Sequence, residues 1–306
     1  MRQYLIILVL SFNLSASSVT INEIYSQSTI ISQEIHSLLR GYGLSENYNK
    51  SFIYSDRKTQ LKARNIWQKT YEIMIKINML RVSYGLPIVE PVNLAPILNL
   101  DYFLVYEQTQ RILTEIKIFK HRVGIEDTKF KIKNYSNKTS IDIFNVLNDI
   151  SVSLDKLNKT EFTPSYVFGE SMRVYDDLSV ILQYLNIKDN TIPSIRNNKA
   201  NPSDTFEVAV KILDKIAIIQ ASVGIQSVDF SFLKNSNPNP SDVFTMVQMI
   251  ISELQTIKAF IGLDTKITPA ATQYSDKTPA DVDQLINWSL RKLELIDNLL
   301  NVKEGI

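Results

Sequence analysis

Asn201-Pro202-Ser203-Asp204-Thr205-Phe206 and Asn239-Pro240-Ser241-Asp242-Val243-Phe244 are one hexapeptide with a single change, 38 residues apart. Pro164-Ser165-Tyr166-Val167-Phe168 lies a further 38 residues upstream, and Thr278-Pro279-Ala280-Asp281-Val282 lies 39 downstream. A fixed period of this length marks an array of like structural units and so decides the fold before any single residue does. Proline is favoured in the first turn of a helix, where its missing N–H leaves nothing unpaired, and the Ser and Asp beside it can accept the free amides of that turn. Each hexapeptide therefore reads as a helix start.

Working outward, the ends repeat too. Tyr42-Gly43-Leu44, Tyr84-Gly85-Leu86, Val123-Gly124-Ile125, Val223-Gly224-Ile225 and Ile261-Gly262-Leu263 share an apolar-Gly-apolar pattern, and Leu185-Asn186-Ile187, Leu157-Asn158-Lys159 and Leu299-Leu300-Asn301-Val302 put Asn in place of Gly. Gly and Asn accept the left-handed conformation just past a helix, and an apolar residue after them can pack back on the last turn. Between start and stop, Val243, Val247, Ile250, Leu254, Ile257 and Ile261 step by four and three, which is a helical stripe. The pattern predicts eight helices, near 22–42, 57–84, 101–123, 140–157, 165–185, 203–223, 241–261 and 280–300. Gly169 falls inside one of them and is expected to tolerate Ala.

The expected fold is all-α: repeated single-helix units with a period of about 38, forming two antiparallel four-helix bundles or one superhelix. Connectors of about 17 residues are longer than helix-hairpin turns need and can either bridge antiparallel helices or return the chain for parallel ones; antiparallel packing is the expectation. The fourth stop comes only six residues before Pro164. A boundary is therefore expected at 159–163, with an N-terminal bundle over 19–160 and a C-terminal repeat bundle over 161–306.

Residues 1–18 read as a cleaved export signal: Arg2 is the positive flank, Leu5 to Phe12 an apolar run too short to span a bilayer, and Ser15, Ala16, Ser17 and Ser18 suit a peptidase. The expectation is a periplasmic or secreted protein with no stable membrane anchor. It has no cysteine, hence neither a disulfide nor a cysteine-borne lipid is expected. Its 33 basic and 32 acidic side chains are interspersed, without the basic stripe a nucleic-acid binder shows.

Chemistry-bearing motifs are sparse. His36 and His121 stand far apart outside any HExxH frame, so no metal is expected, and the isolated glycines form no phosphate loop. Ser153, Ser231 and Ser289 each begin an SxxK tetrapeptide, but at different points of the repeat and without the SDN or KTG partners that chemistry needs. The acidic pairs Asp176-Asp177 and Asp281/Asp283 read as helix-surface charges. No cofactor and no catalytic residue is expected. The functional reading is a non-enzymatic helical scaffold that recognises a protein or cell-envelope partner through connector aromatics, with Phe230, Phe232 and Tyr274 as partner-binding residues. The alternative is a small-ligand binding or sensing bundle, which a cavity lined by convergent polar groups would favour.

Overall fold

The computed structural model describes residues 19–45, 60–126, 133–230 and 237–304, with side chains up to 297. The described residues form eight helices and no strand: α1 (Ile21–Gly41), α2 (Ala63–Ser83), α3 (Tyr102–Arg122), α4 (Ser140–Asn158), α5 (Pro164–Tyr184), α6 (Pro202–Ser222), α7 (Pro240–Phe260) and α8 (Pro279–Glu304). The export reading of residues 1–18 and Phe232 lie outside the described residues.

Helix starts and stops follow from local chemistry. Proline opens α5, α6, α7 and α8. The cap is the residue before it: Asn201 and Asn239 accept backbone N–H groups of the first turn, while Asp204 and Asp242 reach back to the cap's own N–H. Both orphan ends are thereby satisfied reciprocally. At the other end Gly224 and Gly262 have φ of +76° and +86°, and the residues after them, Ile225 and Leu263, donate back to Gln220 and Lys258. At the fourth stop the left-handed residue is Lys159, with φ of +56°, not Asn158. α2 begins at Ala63 rather than near 57.

Helix direction differs from expectation. Pro164, Pro202, Pro240 and Pro279, with Val167, Thr205, Val243 and Val282, surround one cavity of about 20 Å³, so all four helices of the second half start at the same end. They are parallel. The connector after α5 runs back along α8: Trp288 Nε1 donates to Thr191 Oγ1 at 2.9 Å, Gln284 to the Ser194 carbonyl at 2.6 Å, and Arg196 pairs with Asp281 at 2.9 Å. The first half repeats the device. The connector after α2 descends that helix, with Arg81 on the Pro87 carbonyl (2.7 Å), Asn78 on that of Val89 (2.7 Å) and Arg64 on that of Ile97 (2.8 Å). Reach explains the choice. A 21-residue helix is about 31 Å long, and a 17-residue connector can span roughly 56 Å, enough to return to the starting end.

Within each half the helices close a ring, in the order α1, α3, α2, α4 and then α5, α7, α6, α8. Register repeats around both rings. Residues 13 and 18 positions after the helix start meet on neighbouring helices: Glu34 with Lys120, Glu115 with Arg81 at 2.6 Å, Asp177 with Lys258 at 2.7 Å, Gln220 with Glu253 at 2.8 Å, and Lys215 with Asp297 at 3.1 Å. Equivalent polar pairs at equivalent heights make the two halves copies of one four-helix plan.

The connector between α4 and α5 is the exception. Lys159 to Thr163 is five residues, reaching about 17 Å, too little to travel back along α4. α5 therefore begins near the end where α4 stops, and the second bundle points the opposite way. The halves meet through α2 and α7, which are antiparallel: Lys76 faces Ser241, Lys69 faces Thr245, and Asn65 faces Ser252 and Glu253. Gly169 sits where a connector presses on α5. A Cβ there would lie 2.7 Å from the Thr272 carbonyl oxygen, so this glycine gives room for a close backbone approach and would not accept Ala freely.

Candidate functional site

The junction helices carry the most unusual chemistry in the chain. α2 buries Arg64, Asn65, Gln68, Lys69, Glu72 and Lys76 together with its apolar residues, and α7 is buried without interruption from Ser241 to Lys258. A helix buried all round while bearing charges must pair those charges. Lys69 donates to Glu72 at 2.7 Å and to Thr245 Oγ1 at 3.0 Å; Thr245 and Ser151 donate to Glu72 at 2.8 and 2.5 Å. Lys76 contacts Asp155 of α4 at 2.6 Å and stands 4.9 Å above the Phe162 ring. Further along the junction Glu253 receives Lys62, Asn65 and Gln220, each at 2.8 Å.

Lys69, Glu72, Lys76, Ser151, Asp155 and Thr245 line an open cleft of about 700 Å³ between α2, α4 and the start of α7. Lys156, Lys159, Glu161 and Asp242 continue its walls, so four lysines face four carboxylates. Burial pushes Lys69 below the ordinary lysine value, with Glu72 opposing. Burial also pulls Glu72 upward, but Lys69, Lys76 and the Ser151 hydroxyl together hold it below its usual range. Asp155 goes the other way: burial pushes its carboxyl up to about 6 against the attraction of Lys76. Its Oδ2 is bound to Lys76 and the Ser241 hydroxyl also favours the carboxylate, while its Oδ1 is buried with no donor at hydrogen-bond geometry among the described residues.

A second hollow of about 450 Å³ opens on the adjacent side of α2, between that helix, the connector after it, α5 and the connector after α7. Thr160 lines both. Here the walls are mainly apolar, and Tyr71 and Glu170 bring polar atoms into them.

The residues expected to bind a partner are dispersed. Phe230 is buried in the core of the second bundle. It covers the helices instead of facing a partner, because a long connector is held by what it buries. Tyr274 is half-buried, edge-on to Phe168 at 4.9 Å, and lines the second hollow. Sequence reasoning missed the junction because Lys69, Glu72 and Lys76 have the three- and four-residue spacing of a solvated helix face. Among the described residues no group of three or more His, Cys, Asp or Glu side chains could hold a metal, and no helix is long and apolar enough to cross a membrane. No family model, curated protein or solved structure matches this chain.

Proposed function

We propose that this chain is a non-enzymatic binding protein whose inter-bundle cleft takes a small polar, zwitterionic molecule. The observation that carries the reading is the buried Oδ1 of Asp155, without a donor at hydrogen-bond geometry among the described residues, in a cleft whose lysines and carboxylates balance. A buried acceptor without a donor costs free energy, and a ligand ammonium placed on Asp155 supplies the donor while Lys156 and Lys159 at the rim attract its anionic end. The volume is in the range of small-molecule sites. Both bundles contribute walls, so occupancy bears on how they sit together, which suits sensing or delivery. The charged start and small-residue stretch of residues 1–18 support a periplasmic or secreted location.

The test is a thermal-shift screen of the free amino acids, with linear polyamines as purely cationic controls expected to give no shift, followed by calorimetry on any hit. At least one zwitterionic compound is expected to raise the melting temperature of the wild-type protein and not of Asp155→Asn, with affinity rising as pH passes upward through about 6 and Asp155 ionises. A screen without shifts, or shifts that persist in Asp155→Asn, would contradict the assignment.

A second reading, recognition of a protein or envelope partner, draws support from the connector after α2. Ile88, Val92, Ile97 and Leu98 are exposed there, beside Val82 and Phe103 on the flanking helices. A run of apolar residues at one edge is the kind of surface that partners cover. Replacing Ile97 and Leu98 by Ser would abolish capture of such a partner while leaving ligand-induced shifts intact.

A further inference from the structure

The hollow beside the polar cleft differs from it in every respect that selects a ligand. Ile75, Met79, Val82 and Ile88 form one wall, and Tyr166 and Tyr274 stand among the residues of the other. Val82 and Ile88 are each 60% exposed despite facing a concave surface, so apolar area is left in water that an occupant would cover. The wall opposite α2 is fixed by Gly169, whose missing side chain lets the Thr272 backbone press onto α5.

Two buried groups in the lining point to the polar end of that occupant. Glu170 is 3% exposed, and its Oε2 is bound by Arg173 at 2.6 Å and Gln248 at 2.9 Å. Among the described residues its Oε1 receives only the Tyr71 hydroxyl, at 3.4 Å. That is long for an O–H donor, which normally sits at 2.5–3.0 Å. A buried carboxylate oxygen so weakly served retains capacity for a better donor.

We propose that this hollow is a second ligand site, for a small amphipathic molecule with an apolar or aromatic body and a hydroxyl or amino donor directed at Glu170 Oε1. The apolar body covers Ile75, Met79, Val82 and Ile88; the tyrosines provide flat faces for an aromatic ring. The donor sets orientation, since the carboxylate is the one anionic group in the lining. The site stands independently of the polar cleft, whose Asp155 it does not use.

The test uses the full chain and the fluorescent probe N-phenyl-1-naphthylamine, with 1-naphthol and 1-methoxynaphthalene as competitors that do and do not carry a donor. Emission should saturate at one probe per chain. Affinity should fall by about tenfold in Ile88→Asp, a connector position whose exposure leaves folding unchanged, and stay at the wild-type value in Ile195→Asp, a residue on another connector, and in Asp155→Asn. 1-Naphthol should displace the probe at several-fold lower concentration than 1-methoxynaphthalene, and that preference should shrink in Glu170→Gln. Non-saturating emission, equal affinity in Ile88→Asp, or equal displacement by the two competitors would each overturn the proposal. Should Glu170→Gln unfold, the comparison of competitors on the wild-type chain still decides the donor's role.

Discussion

Asp155 and Gly169 show how far a single position is governed by what packs on it. The folded Asp155 carboxyl, at about 6, holds a proton more tightly than an unfolded aspartate near 4. Between those values the native state binds more protons than the unfolded chain, so this group makes stability fall as pH rises. Urea midpoints measured from pH 4 to 7 should therefore decline less steeply in Asp155→Asn than in the wild type. Gly169 and Gly224 separate two uses of glycine. A Cβ at Gly224 meets nothing within 4 Å, and only its positive φ resists a side chain, so Gly224→Val should cost about 1–2 kcal/mol. Gly169→Ala should also destabilise, through the Thr272 carbonyl, although helix propensity alone favours alanine there. Thermal melts of the two variants check both statements, and a stabilised Gly169→Ala would mean that the connector does not press on α5.

At the scale of the helix, most of the architecture was legible. The Pro-led starts of α5 to α8, the Gly or Asn stops and the helical stripes between them placed seven of the eight helices within about two residues at their starts, because capping is local chemistry. Direction was not legible, since a 17-residue connector is long enough for either arrangement. The charged site was hidden for a different reason. Lys69, Glu72 and Lys76 make a surface-like stripe that becomes interior because α4 and α7 close over it. The signal that could have exposed it is the five-residue link at 159–163, which forces the second bundle to reverse and brings α7 beside α2. The buried pairs give an element-level prediction. Lys258→Met alone leaves Asp177 buried with only the Thr268 hydroxyl in hydrogen-bond contact and should cost about 3–5 kcal/mol, whereas Lys258→Met with Asp177→Leu should recover most of that loss. Denaturant titration of the single and double variants reads the difference directly. A single variant as stable as the double would mean that the pair is not buried between α5 and α7.

For the whole molecule, two copies of a parallel four-helix plan face in opposite directions and share the α2–α7 seam, and both hollows exist because of that docking. Parallel packing within a bundle is the claim on which the seam, the cleft and the reversal all depend. With no cysteine in the chain, two introduced cysteines can be labelled uniquely. Ser222 and Phe260 are exposed at the last residues of α6 and α7, which are neighbours in the ring. Spin labels on Ser222→Cys and Phe260→Cys should lie about 10–20 Å apart, the spacing of adjacent helix axes plus label arms. A separation of about 30 Å or more, the length of one helix, would show the two to be antiparallel and would contradict the account.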